Sequence, residues 1–218
     1  MPRTITVRGT GSVTASPDRV EINLNVEAKD RDYAAALETE SARSDALLAA
    51  VREAGLPDYA LTTGQFNVRA DYESVHDDAG NWRSEFAGYV VTRSLRLVFP
   101  FSMDTLSAVL GNIGASEASP QLSIAFTLSD PEAVKKQALA DAVRDAREKA
   151  EILASASGAS LGNLLSIQYS VSDRTVVSGT VFSVEADAMP RMAKAARFNG
   201  APQDIDVTDD AVFVWEIC

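Results

Sequence analysis

RGTGSVTASPDRVEINLNV, residues 8–26, is the stretch on which the fold turns. In its second half Val20, Ile22, Leu24 and Val26 alternate with Glu21, Asn23 and Asn25, and Ala28 continues the row. That period of two describes a half-buried strand. In the first half Ile5, Val7, Gly9, Gly11 and Val13 share one face of an extended segment, and Thr4, Thr6, Arg8, Thr10 and Ser12 share the other. Between them Ser16-Pro17-Asp18-Arg19 places proline at the second position of a type I turn. A dinucleotide loop of the G-x-G-x-x-G type is excluded on two counts. Its third glycine would be Thr14, and the motif must open a helix whose first amides hold the phosphates. Here a proline turn and a second strand follow. Gly9 and Gly11 are therefore two absent side chains on one strand face, where another backbone can come close.

The partner for that close approach is expected further along. Asp130 as N-cap and Pro131 at the first helical position open a helix running to about Ser157, with Gly158 just beyond. At 1.5 Å per residue it spans roughly 40 Å. Val134, Ala138, Ala142, Ala146 and Ala150 recur every four residues, so its inner face is small. An alanine face against two glycines predicts close packing of this helix on the first strand.

The remaining punctuation is clear. A helix from about Asp32 to Ala54 carries Tyr33, Leu37, Leu47, Leu48 and Val51, and Gly55 and Pro57 close it. Phe66, Val68, Ala70 and Tyr72 form the next alternating row, Glu73 to Arg83 a polar hairpin loop, and Phe86 to Phe99 the return strand. Arg93 interrupts the apolar face of Tyr89, Val91, Leu95 and Leu97, which predicts a bulge, an ion pair or an exposed end. Ser102 caps a short helix with Leu106, Val109, Leu110 and Ile113. Strands follow at Leu122–Leu128 and Leu161–Val171, the latter with Leu165, Ile167 and Tyr169 on one face. After a weaker stretch through Val184, the chain closes on Val212, Phe213, Val214, Trp215 and Ile217. Apolar residues on both faces make that last strand central or covered. The order β-β-α-β-β-α-β-α-β-(β)-β predicts an α+β fold. It is mainly antiparallel sheet with about three helices layered on it, one of them long and alanine-rich. The chain reads as a single domain, 1–218, within which sub-halves 1–99 and 100–218 would each hold a β-α-β-β unit.

Composition narrows the functions. The net charge of −11 and pI of about 4.6 leave no basic stripe for phosphates, which argues against nucleic acid. The single cysteine, Cys218, allows no internal disulfide, and no apolar run is long enough for a transmembrane segment. The N-terminus as given has no apolar leader. Taken alone that points to the cytoplasm; a trimmed leader would point to the periplasm or cell envelope. His76 has no credible nucleophile partner, and no serine stands in a G-x-S-x-G elbow. Asp71, Glu73, His76, Asp77 and Asp78 match neither a calcium loop nor a zinc motif, so a solvated acidic loop is expected rather than a cation site. No catalytic, cofactor-binding or metal-binding residue is assigned.

The stretches ITVRGTGSVTASPDRVEINLNVEA, GYVVTRSLRLVF, LSIAFTLSDPEAVKKQALADAVRDAREKAEILASASGASLGNLLSI and AVFVWEI together resemble the SIMPL-domain family, a family of unknown function. It includes bacterial periplasmic immunogenic and oxidative-stress-defence proteins and an animal adaptor linked to a Pelle-like kinase. MPRMAKAARFNGAP, residues 189–202, is similar to the family's Met/Ala/Pro-rich excursion before the last strand. The resemblance implies an α+β fold, no known catalytic residues and large homo-oligomers, channel-like in one member. Many bacterial relatives carry a secretion leader, and a small polar residue is usual where this chain has Arg93. The expected function is therefore a non-enzymatic, self-associating protein with a stress-response or cell-envelope role. The alternative is an adaptor or binding module that recognises a protein or small ligand through loop 73–83 or segment 189–197.

Overall fold

The computed structural model describes residues 3–76, 81–170, 176–184 and 201–218. Segment 189–197 and residues Asp77 and Asp78 lie outside them. The strands are β1 (Thr4–Ala15), β2 (Arg19–Asp30), β3 (Leu61–His76), β4 (Trp82–Pro100), β5 (Gln121–Thr127), β6 (Leu161–Tyr169), β7 (Val177–Val184) and β8 (Ile205–Ile217). The α-helices are α1 (Tyr33–Glu53), α2 (Met103–Ala115) and α3 (Pro131–Ala156). The expected α+β class and order of elements hold. β1 and β2 belong to different sheets, one ordered β1-β8-β6 and the other β3-β4-β2-β5-β7. Two compact units result: residues 1–18, 127–179 and 202–218 form the first, and 19–126 with 180–201 the second.

In the first unit the two glycines meet the alanine helix. A Cβ built on Gly9 would lie 1.9 Å from the Ala142 carbonyl oxygen and 2.6 Å from the Ala146 Cβ. On Gly11 it would lie 1.9 Å from the Ala138 carbonyl oxygen. The backbones of β1 and α3 therefore touch where neither element has a side chain beyond Cβ. Ala138, Ala142, Ala146, Ala150 and Ala154 are all buried. Asp130 caps the helix by accepting from the Ala133 N–H at 2.9 Å. At its other end the Ala159 N–H reaches the Ala154 carbonyl and the Gly158 N–H the Ser155 carbonyl, the two bonds of a Schellman motif. β8 runs antiparallel to β1 with Gly9 opposite Ala211, and is the central strand, as its two apolar faces predict. Phe213 and Trp215 stack at 5.4 Å and pack with Val7, Ala146 and Ala150. Asp18 accepts from both the N–H and the hydroxyl of Ser129 at 2.5 Å, joining the end of β1 to the approach of α3.

Asp145, on α3, accepts the Thr10 N–H at 2.8 Å and pairs with Lys149 at 2.7 Å. Lys149 first, and the Thr10 amide second, hold this carboxyl below its ordinary value of 3.8. A depressed folded-state pKa contributes stability above the unfolded value, and that contribution is lost as pH falls through the folded one. Asp145→Ala is therefore expected to melt lower than the native chain at pH 7, with the gap closing below about pH 4. Thermal scans from neutral to acid pH check this, and a gap that persists unchanged in acid would refute it.

In the second unit β2 and β4 pair from Arg19↔Pro100 to Asp30↔Tyr89, and β3 adds to the far side of β4. Val20, Ile22, Leu24, Val26, Leu95, Leu97 and Phe99 face a core completed by Leu47 and Val51 of α1, by Leu106, Val109, Leu110 and Ile113 of α2, and by β5. Asp32 and Ser102 cap their helices as their positions predict. The inner face of α1 differs from the expected stripe. It is Ala36, Glu40, Leu47, Ala50 and Val51, while Tyr33 is exposed and sets its ring edge-on to Tyr89 at 5.6 Å.

Candidate functional site

Glu40 and Arg93 are the charged pair inside the second unit. Arg93 sits on the core-facing row of β4 between Val91 and Leu95, and Glu40 projects from the inner face of α1. Their Nη2 and Oε2 atoms are 2.8 Å apart, with Glu40 fully buried and Arg93 27% exposed. Ser44 donates to the other Glu40 oxygen at 2.5 Å, and the Arg93 guanidinium lies 5.2 Å over the Phe66 ring. The Arg93 Nε is buried without a hydrogen-bond partner. Of the bulge, ion pair or exposed end expected at Arg93, the structure holds the ion pair. Its partner came from a helix position that a search for apolar periodicity passes over. The pair ties α1 to β4.

The expected loop at 73–83 is instead a continuation of the hairpin. β3 extends to His76 and β4 begins at Trp82, with Glu73 opposite Glu85 and His76 opposite Trp82. β2 ends opposite Tyr89, so from Asp71↔Gly88 to His76↔Trp82 the two strands form a ribbon beyond the third strand. At the exit Gly88 adopts φ +143°, and a Cβ there would lie 2.5 Å from the Asp30 carbonyl oxygen. The Asp71/Tyr72 register shift that follows brings Phe86 beside Tyr89 at 5.2 Å and Tyr72 beside Phe86 at 5.9 Å. With Tyr33 this makes a continuous row of rings. Tyr72 is 59% and Trp82 69% exposed, and His76 stacks on Trp82 at 3.7 Å. The acids at the base of the ribbon are engaged: Lys29 lies 3.0 Å from Asp71 and 2.9 Å from Glu73. These contacts, Glu73 first, raise the Lys29 pKa, and Lys29 in turn lowers that of Asp71. Among the described residues no group of three His, Cys, Asp or Glu is placed to hold a metal ion.

β6 is a second open apolar surface. Its pairing with β8 is broken between Leu161 and Leu164 and again between Leu164 and Ser166. The second irregularity falls at Leu165, so the face shared with Trp215, Phe213 and Ala211 carries Leu164, Ile167 and Tyr169 rather than the expected Leu165, Ile167 and Tyr169. All are exposed, and no charge lies between Leu161 and Tyr169.

The third feature was not singled out in the sequence. On the side of the five-stranded sheet away from α1 and α2, a trough of about 520 Å³ is lined by Asn23, Asn25, Gly64, Ser94, Arg96, Gln121, Ser123 and Ser183. Asn25 stands opposite Ser94 and Asn23 opposite Arg96, so two transverse rows form its middle. Its trace in the sequence is slight: Asn23 and Asn25 stand mid-strand between the charged positions Glu21 and Glu27 of β2, and β5 carries Gln121 and Ser123.

These features sit on a fold with known relatives. The family model SIMPL, described as a protein of unknown function (DUF541), matches residues 5–215. The chain belongs to the SIMPL family. This SIMPL protein is 29% identical over 166 residues to the 26 kDa periplasmic immunogenic protein of Brucella melitensis, a match covering 76% of this chain and 66% of that one. It is 26% identical over 169 residues to the uncharacterized protein YggE of Edwardsiella ictaluri, covering 78% and 69%. To YggE of Escherichia coli K12 it is 24% identical over 205 residues, covering 94% and 80%. The chain thus spans just under two thirds of the length of the Brucella relative. No helix among the described residues is long and apolar enough to cross a membrane.

Proposed function

We propose that this SIMPL protein is a non-catalytic, self-associating protein of the periplasm or cell envelope with a stress-response or envelope role. The observation that carries self-association is the aromatic ribbon. A two-stranded ribbon is marginal alone in water, and this one projects a row of rings past the last strand that could shield it. Covering Tyr72, Phe86 and Trp82 removes apolar area at roughly 25 cal/mol per Å², a gain that a second copy can supply. The uncharged strand β6 supports the same reading, because a chain of net charge −11 repels its own copies over most of its surface. The periplasmic location takes its support from the names of the Brucella relatives.

Light scattering on the full chain at micromolar concentration is the test. A mass of several subunits is expected, falling toward one subunit when Tyr72, Phe86 and Trp82 are all changed to serine. A native chain that is strictly monomeric overturns the reading. It would leave the same ribbon to a different protein, the adaptor alternative.

A further inference from the structure

The trough on the outer face of the five-stranded sheet has a chemistry of its own, independent of self-association. We propose that it binds a neutral, hydroxyl-rich ligand, a short oligosaccharide laid across the strands. The lining side chains Asn23, Asn25, Gln121, Ser94, Ser123 and Ser183 are amides and hydroxyls. Each donates and accepts hydrogen bonds, and so does each hydroxyl of a sugar. The lining's one cation, Arg96, is forked onto Glu21 through Nε at 2.6 Å and Nη2 at 2.5 Å. Its charge is thereby balanced, and the lining contains no carboxylate. A site without net charge on a chain of net charge −11 disfavours anions, and without a carboxylate it holds cations weakly.

An apolar ligand fits no better. Leu24, Leu95 and Leu122 also border it, but these residues are buried in the core cluster and offer a ligand little apolar surface. An extended peptide would seek unpaired backbone groups at a sheet edge. This trough crosses β4 and β2 in the middle of the sheet, where backbone groups are already paired, so recognition falls to side chains. The hollow comes from size. Ser94 and Asn25 are in register, and β3 contributes Gly64 beside them at the irregularity between Thr63 and Gln65. Arg96 on β4 and Gln121 on β5 are the longer side chains of the lining. A volume of about 520 Å³ lies within the range of small-molecule sites, roughly 300–1,000 Å³.

The test is an NMR titration of the ¹⁵N-labelled full chain with millimolar maltotriose, tri-N-acetylchitotriose, trigalacturonate and a neutral seryl-alanyl tripeptide. Saturable shifts of the side-chain amides of Asn23, Asn25 and Gln121 are expected with at least one neutral trisaccharide, and none with the anionic one. The double variant Asn25→Leu/Ser94→Leu fills the trough and should weaken binding about tenfold or more without moving the melting temperature. If it misfolds, Asn23→Ala/Gln121→Ala serves the same purpose. The proposal is overturned if no neutral trisaccharide gives saturable shifts or if the anionic one binds equally well. Tighter binding of the tripeptide, or shifts that survive in a folded trough variant, overturn it too.

Discussion

Gly9→Ala is expected to lower the melting temperature by about 10 °C. The new Cβ would lie 1.9 Å from the Ala142 carbonyl oxygen, about half a normal contact distance, and 2.6 Å from the Ala146 Cβ. Neither neighbour can swing aside, because one is helix backbone and the other is a methyl fixed to it. Either α3 lifts from β1 along its alanine stripe or the strand bends. Overpacking of this kind costs about 3 kcal/mol or more when backbone must shift. At about 2–4 °C per kcal/mol for a chain of this size, that gives the stated fall. Gly111 is the internal control: it lies within α2 and a Cβ there meets nothing within 4 Å. Gly111→Ala is expected to raise stability by about 0.5–1 kcal/mol through helix propensity alone. Thermal scans of both variants decide the matter. A Gly9→Ala chain that melts within about 2 °C of the native one would show that β1 and α3 do not touch.

The second large effect is expected at the Glu40–Arg93 pair. Arg93→Met removes the guanidinium and leaves Glu40, fully buried, with Ser44 as its remaining partner. Breaking a buried pair from one side typically costs about 3–5 kcal/mol, because the abandoned charge keeps its desolvation penalty. Removing both charges does not. The double variant Glu40→Leu/Arg93→Met should therefore recover most of that loss, and the two substitutions should be strongly non-additive in a double-mutant cycle. Urea unfolding of the single and double variants measures the coupling. Equal loss in both would mean that the packing of the Arg93 stem, not its charge, holds α1 to the sheet.

These two sites also mark the limits of reading the chain without its fold. The glycines and the alanine stripe were legible together, since two side-chain deficits in different elements suggest each other. The caps at Asp32, Ser102 and Asp130 were legible because N-cap chemistry is local. Glu40 was not: an acid on the inner face of a helix breaks the apolar period that identifies the face, and its cause is an arginine on a strand 53 residues away. Residues 73–83 of the ribbon read as loop for a related reason. A hairpin open on both faces needs no alternation of apolar and polar residues, so the main signal for a strand is absent. At β6 the irregularity at Leu165 shifted the apolar face, and a bulge depends on the partner strand.

By itself the sequence determined the order of elements, the helix caps, the closeness of β1 to the alanine helix and membership of the SIMPL family. Those follow from local backbone preference, short-range periodicity and motifs contiguous in the chain. Tertiary structure alone decided that β1 and β2 part into different sheets, that Glu40 answers Arg93, and that Asn23, Asn25, Ser94, Gln121 and Ser123 line one trough. Each of these depends on which strand lies beside which. Strand pairing is made by backbone groups that every residue carries, so the sequence marks it only faintly.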